Sequence, residues 1–159
     1  MNATAANSDY QIRHAQLGDV PGIYSLLKHY SDEGVLLPRP QSDIYGSLRD
    51  FYVVEEGGEI IACAALLIYT KELGEVRSLA VHPAYMKLGL GNKMVLRLEQ
   101  DADNIGLVKL MALTYVVDFF EKINFEVVEM SELPEKVWGA CINCHKFRNC
   151  DEIAVLKYI

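Results

Sequence analysis

The stretch Val81-His82-Pro83-Ala84-Tyr85-Met86-Lys87-Leu88-Gly89-Leu90-Gly91-Asn92 constrains this chain more than any other. It sets two glycines, one residue apart, between an apolar run ending at Val81 and a segment whose Leu90, Met94, Val95 and Leu98 recur on one helical face. A glycine-bearing turn from strand into helix is an anion cradle. Glycine lets backbone approach a ligand closely, and the N–H groups of the helix's first turn face it with the positive end of the macrodipole. Lys87 can add charge. The same glycines also serve a plain tight turn, so the pair acquires meaning only from the elements around it.

Those elements read as follows. Residues 10–15 form a short strand, then Asp19 caps a helix carrying Val20, Ile23, Tyr24 and Leu27 on one face and ending near Gly34. Leu36-Leu37-Pro38-Arg39-Pro40 cannot be helical, because each proline pushes its predecessor into extended geometry, so Arg39 sits on a stiffened loop. A short helix over 42–49 follows. Strands 51–55 and 59–69 are joined by Glu56-Gly57-Gly58, a hairpin signal, and strand 75–81 completes a meander. A helix over 90–104 ends before Gly106, and 107–113 is a buried strand. Val116, Phe119, Phe120 and Ile123 mark a short helix that stops at Asn124; strands 125–130 and 153–158 close the chain. The polar stretch 131–150 between them is long for a structureless loop.

Composition sets the outer bounds. The 159 residues are 51% hydrophobic and 23% charged, with 15 Lys and Arg against 22 Asp and Glu and a net charge of −7. Such a chain is not disordered, and at this length it buries roughly 68–70% of its unfolded surface without needing a disulfide or metal. Residues 1–9 read as a flexible tail and 10–159 as one domain. The longest apolar run, 60–69, is well short of the ~20 residues a membrane span needs, and the polar start lacks the apolar stretch of a signal peptide. The reading is a cytoplasmic protein with no membrane and no nucleic-acid partner, its acidic balance opposing the latter.

A meander entering the glycine loop, then a helix, a strand and a short helix with Phe119-Phe120-Glu121-Lys122-Ile123-Asn124-Phe125, resembles the GNAT acetyltransferase family over nearly all of the chain from Tyr10. The resemblance implies an α/β GNAT acyltransferase fold, a mixed, mostly antiparallel sheet flanked by helices. It also implies acetyl-CoA as cosubstrate, bound at Leu79, Ala80, Val81, Lys87, Leu88, Gly89, Leu90, Gly91 and Asn92, with N–H groups near Leu79 and Ala80 polarising the thioester carbonyl. The family's loop begins with Arg or Gln where this chain has Met86, which leaves the pyrophosphate to backbone amides and Lys87.

Acetyl transfer to an amine needs a deprotonated nucleophile beside the thioester, donors aimed at the developing oxyanion, and a proton for the leaving thiolate. Glu75, on the strand leading into the loop, is the candidate general base, acting through water; an exposed strand-end Glu is its ordinary alternative. Within the family, Leu36-Leu37-Pro38-Arg39-Pro40, Gly74-Glu75-Val76-Arg77-Ser78-Leu79-Ala80-Val81, and Leu113-Thr114 with Phe119-Phe120 are similar to N-acetylglutamate synthases. That likeness implies that Arg39 holds a substrate carboxylate, that Glu75 deprotonates the amine, and that Thr114 assists through water. A guanidinium on a proline-stiffened loop suits a bidentate carboxylate pair; a solvated surface Arg is the alternative. The family's Tyr acid is replaced by Phe119-Phe120, with Tyr115 or water as substitutes. Longer members carry an arginine-sensing amino-acid-kinase domain; the stretch from Leu133 to Glu152 is like that of short, free-standing members and implies no such feedback.

Cys141-x-x-Cys144 with Cys150 and neighbouring His145 leaves three readings open: a zinc site short of one cysteine ligand, a redox pair, or reduced packing thiols. The small-molecule partner expected is an amino acid, with a homodimer left open. The alternatives to glutamate acetylation are a GNAT enzyme for another small amine or amino acid, and a non-catalytic acetyl-CoA-binding or cysteine-based sensing domain.

Overall fold

The structure, a computed structural model, describes residues 10–133 and 151–159. Seven strands among them hydrogen-bond in the order β1-β2-β3-β4-β5-β7-β6: β1 Arg13–His14, β2 Phe51–Glu56, β3 Glu59–Ile68, β4 Leu73–Val81, β5 Lys109–Thr114, β6 Glu126–Val128 and β7 Ile153–Tyr158. The β1/β2, β2/β3, β5/β7 and β6/β7 pairs are antiparallel, while β4 and β5 are parallel. Parallel neighbours require a crossover, and here it includes α3, Leu90–Asn104. The mixed, mostly antiparallel sheet expected from the sequence is the one observed. The chain divides into two compact units, one comprising residues up to Leu66 together with Ser78–Leu98, the other Leu67–Arg77 with Glu99–Ile159.

In the first unit, α1 (Val20–Asp32) buries Val20, Ile23, Leu26 and Leu27, with Tyr24 half-buried. Asp19 occupies the position before α1 but does not cap it through its side chain. Its carboxylate instead accepts from the Gln16 N–H at 2.7 Å and from Arg13 at 2.7 and 3.1 Å, closing the 3-10 turn Leu17–Asp19. Gly22 lets α1 lie close against β3: a Cβ there would fall 2.7 Å from Ile60 Cγ1. The turn between β2 and β3 carries φ of 59° and 83° at Gly57 and Gly58, the left-handed pair that a two-residue hairpin demands. The helix expected over 42–49 is two pieces, α2 (Gln41–Gly46) and a 3-10 turn Leu48–Asp50, because the Ser47 hydroxyl donates to the Asp43 carbonyl at 2.7 Å and its backbone leaves helical geometry.

In the second unit, β7 lies between β5 and β6, so the last strand of the sequence is interior to the sheet. Leu73, Met111, Leu133 and Ala154 form a buried cluster against which Tyr69, Leu113, Val128, Met130 and Leu156 pack. Gly74 is required by contact: an added Cβ would meet Leu107 Cδ1 at 2.7 Å and the Leu67 carbonyl oxygen at 2.9 Å. The short helix α4 (Val117–Lys122) ends with Asn124 at φ 77° and stacks Phe120 edge-on against Phe119 and Phe125. Lys157 and Glu99 pair at 3.0 Å. Residues 134–150, and with them Cys141, Cys144, His145 and Cys150, lie outside the described residues.

Candidate active site

The glycine loop is anchored at both ends. At its start, the Tyr30 phenol donates to the Val81 carbonyl, and the His82 N–H donates to the Ile61 carbonyl at 2.7 Å. His82 Nδ1 then accepts from the Ala84 N–H at 3.0 Å, shaping the 3-10 turn Pro83–Tyr85. At its end, Leu90, Met94, Val95 and Leu98 are buried, which fixes the first turns of α3. Between these anchors Lys87 and Gly89 both adopt left-handed backbone, with φ of 66° and 80°. The Gly89 carbonyl accepts the first helical hydrogen bond, from the Lys93 N–H at 3.0 Å. The N–H groups of Gly89, Leu90, Gly91 and Asn92 thus precede the first possible intrahelical donor and stand at the positive end of the helix. Beyond its chain neighbours, no atom lies within 4 Å of where a Gly89 Cβ would be, so the space beside Gly89 is open. That arrangement fits a phosphate-bearing ligand. Met86, standing where the family has Arg or Gln, is 54% exposed, its sulfur 3.8 Å from the Tyr30 hydroxyl.

Leu79, Ala80 and Val81 follow directly on an irregularity that the sequence did not announce. Ser78, within β4, has φ 54°, a conformation uncommon for any residue bearing a Cβ. Arg39 holds it there. Nη1 donates to Ser78 Oγ at 2.7 Å, Nη2 to Ser47 Oγ at 2.8 Å, and the guanidinium carbon lies 5.0 Å from the centre of the Phe51 ring. The Asp43 carboxylate is 3.6 Å from Nε. The Cys63 thiol donates to the Ser78 carbonyl at 3.4 Å; burial pushes that thiol up to about 12, against the opposing pull of Arg39 and of the Ala80 N–H. With its side chain only 8% exposed, Arg39 is not the solvated surface Arg that was its alternative. It ties the loop to β4.

In the second unit, Glu75 is 2% exposed and Thr114 6%. The ordinary exposed strand-end Glu is therefore excluded. The Tyr69 hydroxyl donates to Glu75 Oε1 at 2.5 Å. Thr114 Oγ1 accepts from the Val116 N–H at 2.8 Å, which directs the hydroxyl's own proton away from that amide. The Tyr115 hydroxyl donates to Asp151 Oδ1 at 2.6 Å, and Phe120, standing where the family has its Tyr acid, is buried in the aromatic stack.

Sequence reasoning missed Tyr69, Ser47, Cys63 and the bend at Ser78. Tyr69 alone carried a signal: it closes the apolar run before the Thr70-Lys71-Glu72 turn, and its N–H pairs with the Leu73 carbonyl at 2.9 Å, two residues before Glu75. Among the described residues no group of three or more His, Cys, Asp or Glu is arranged to hold a metal ion, and no helix is long and apolar enough to cross a membrane.

Residues 20–125 match the family model for the acetyltransferase (GNAT) family. The chain belongs to that family. It is 35% identical over 150 residues to an uncharacterised N-acetyltransferase of Chlorobaculum tepidum, covering 94% of this chain and 97% of that protein. It is 32% identical over 130 residues to the amino-acid acetyltransferase of Mycobacterium tuberculosis, covering 80% and 74%. Among solved structures it is similar to N-acetylglutamate synthase from Neisseria gonorrhoeae complexed with coenzyme A and N-acetyl-glutamate, with a TM-score of 0.83 and 25% identity over 94% of this chain and 35% of that one. Several further amino-acid acetyltransferases that it matches are longer, the chain spanning 29% of their length.

Proposed function

We propose that this chain is an acetyl-CoA-dependent N-acetyltransferase whose acceptor is an amino acid, specifically the α-amine of L-glutamate, as in the opening step of arginine biosynthesis. The observation carrying the reading is a carboxylate, Glu75, buried to 2% exposure on the strand that runs into a phosphate-cradling loop. Relatives named amino-acid acetyltransferase, and a fold neighbour that is an N-acetylglutamate synthase, support the acceptor class.

In this reading the pyrophosphate rests on the N–H groups from Leu88 to Asn92, with Lys87 adding charge. Glu75, through water, takes a proton from the acceptor's ammonium. The amine nitrogen attacks the thioester carbonyl carbon while N–H groups near Leu79 and Ala80 receive the developing oxyanion. The C–S bond then breaks as the attacking nitrogen gives up its second proton, which passes to the CoA thiolate by way of water held near Thr114. The attack is direct, within a ternary complex, so no thiol of the chain carries the acetyl group. Arg39 receives the acceptor's carboxylate by exchanging its bonds to the Ser47 and Ser78 hydroxyls, both neutral partners, for a charged one.

The test is an acceptor panel: thiol release from acetyl-CoA with glutamate, aspartate, glutamine, the remaining common amino acids and amines lacking a carboxylate. Glutamate is expected to give the highest kcat/KM. A second reading, acetylation of a different small amine, is favoured by the engagement of both terminal Arg39 nitrogens within the chain. A carboxylate-free amine at the head of the panel would establish it instead.

A further inference from the structure

We infer that Tyr69 is a positioning residue for the base: its phenol fixes one oxygen of the Glu75 carboxylate and so sets the direction from which that carboxylate meets the acceptor. The inference rests on the reading of Glu75 as the proton acceptor and names a group that governs it.

The geometry is that of a charge-assisted bond. Separations of about 2.5–2.7 Å mark a hydroxyl bound to an ionised oxygen, and Tyr69 Oη lies 2.5 Å from Glu75 Oε1. Both partners are held from behind. The Tyr69 ring packs on the cluster of Leu73, Met111, Leu133 and Ala154, and its N–H donates to the Leu73 carbonyl. Glu75 follows Gly74, whose missing Cβ lets the strand sit against the Leu67 carbonyl. The turn between them is closed by Thr70, whose Oγ1 accepts from the N–H groups of Glu72 and Leu73 at 3.1 and 3.0 Å. A carboxylate with one oxygen fixed this way presents the other in a single orientation.

Other titratable groups lie on the elements beside Glu75: Lys71 and Glu72 in the turn, Arg77 two residues further along β4, and Lys109 on β5, two residues before Met111, the strand partner of Glu75. Cys63 of β3 gives its hydrogen bond to Ser78. A Tyr69→Phe substitution leaves all of these in place and keeps the ring in its packing site, so a change in kcat reports on the phenol.

The experiment separates kcat from KM for the full chain with acetyl-CoA and its best acceptor, in wild type, Tyr69→Phe, Glu75→Gln, and a form with 3-fluorotyrosine placed at 69. In Tyr69→Phe, kcat falls about tenfold, the worth of a hydrogen bond to a charged group, with KM for acetyl-CoA unchanged. The fluorinated phenol, a stronger donor of the same shape, alters kcat without altering KM for acetyl-CoA and carries the test if the Phe variant folds poorly. A kcat that stays put in both Tyr69 forms, while Glu75→Gln loses it, overturns the role of Tyr69 and leaves Glu75 as the base. A Glu75→Gln enzyme that keeps the wild-type rate overturns the reading of Glu75 itself, and the inference with it.

Discussion

Replacing Arg39 by Lys keeps the charge and discards the fork. The guanidinium now reaches two hydroxyls at once, Ser78 at 2.7 Å and Ser47 at 2.8 Å, while lying 5.0 Å from the Phe51 ring centre. Each bond from a charged donor is worth ~1.5–3 kcal/mol and the ring contact ~0.5–2 kcal/mol. An ammonium retains one hydroxyl and loses the planar stack, so the net cost is about 2–5 kcal/mol. For a chain of this length that lowers Tm by roughly 4–20 °C. A double-mutant cycle of Arg39→Lys with Ser78→Ala, read by urea denaturation, should return a coupling of about 1 kcal/mol. The same proteins assayed for KM separate the two tasks assigned to Arg39. A clamp alone changes stability and kcat together, whereas a carboxylate ligand adds a rise in KM for glutamate. An Arg39→Lys protein with wild-type Tm and zero coupling to Ser78 would refute the clamp.

Three further outcomes follow from the same contacts. Gly74→Ala drives a Cβ to 2.9 Å from the Leu67 carbonyl, backbone that cannot step aside, and should cost ~1–3 kcal/mol or more, whereas Gly46→Ala, with nothing within 4 Å, should be nearly neutral; thermal denaturation compares them. Gly89→Val forces a branched side chain into φ 80° and covers the first-turn amides of α3, so calorimetry should find coenzyme A binding weakened by more than tenfold in the folded variant. Arg13 holds the Asp19 carboxyl below the usual carboxylate range, against the opposing effect of burial. A depressed folded-state value stabilises fully above the unfolded value of about 3.9 and loses that contribution as pH falls through the folded one. The urea midpoint should therefore be flat above about pH 5 and decline below about pH 4, and Arg13→Ala should flatten that decline.

Much of this architecture was legible because period and punctuation agree. The helix over 90–104 is observed at Leu90–Asn104, and the Gly57-Gly58 turn joins β2 and β3 as its dipeptide indicates. Strand 10–15 contracts to Arg13–His14 because an edge strand has one partner, β2, and the Arg13 side chain turns to Asp19 and Glu55. The insertion of β7 between β5 and β6 is a long-range pairing that no local pattern encodes. The site divides the same way. Glu75 and the glycine loop lie on strand, loop and helix that are contiguous in sequence, but it is the resemblance to the GNAT family, not spacing, that singled them out from an ordinary strand-end Glu and a plain tight turn. The Arg39–Ser78 contact joins residues 39 positions apart, and the left-handed backbone of Ser78 is not serine's own preference. Tyr69 lies between these cases, near Glu75 in sequence but connected to it only once the hairpin register is known.

The central claim, acetyl transfer to the amine of an amino acid, is tested most directly by incubating the purified chain with acetyl-CoA and L-glutamate and following N-acetylglutamate by mass spectrometry alongside free CoA thiol. The account predicts one N-acetylglutamate for each thiol released, at a rate that falls about 10²- to 10⁴-fold in Glu75→Gln. Thiol release without an acetylated amino acid, or no turnover with glutamate or any other amino acid while coenzyme A still binds, would contradict it.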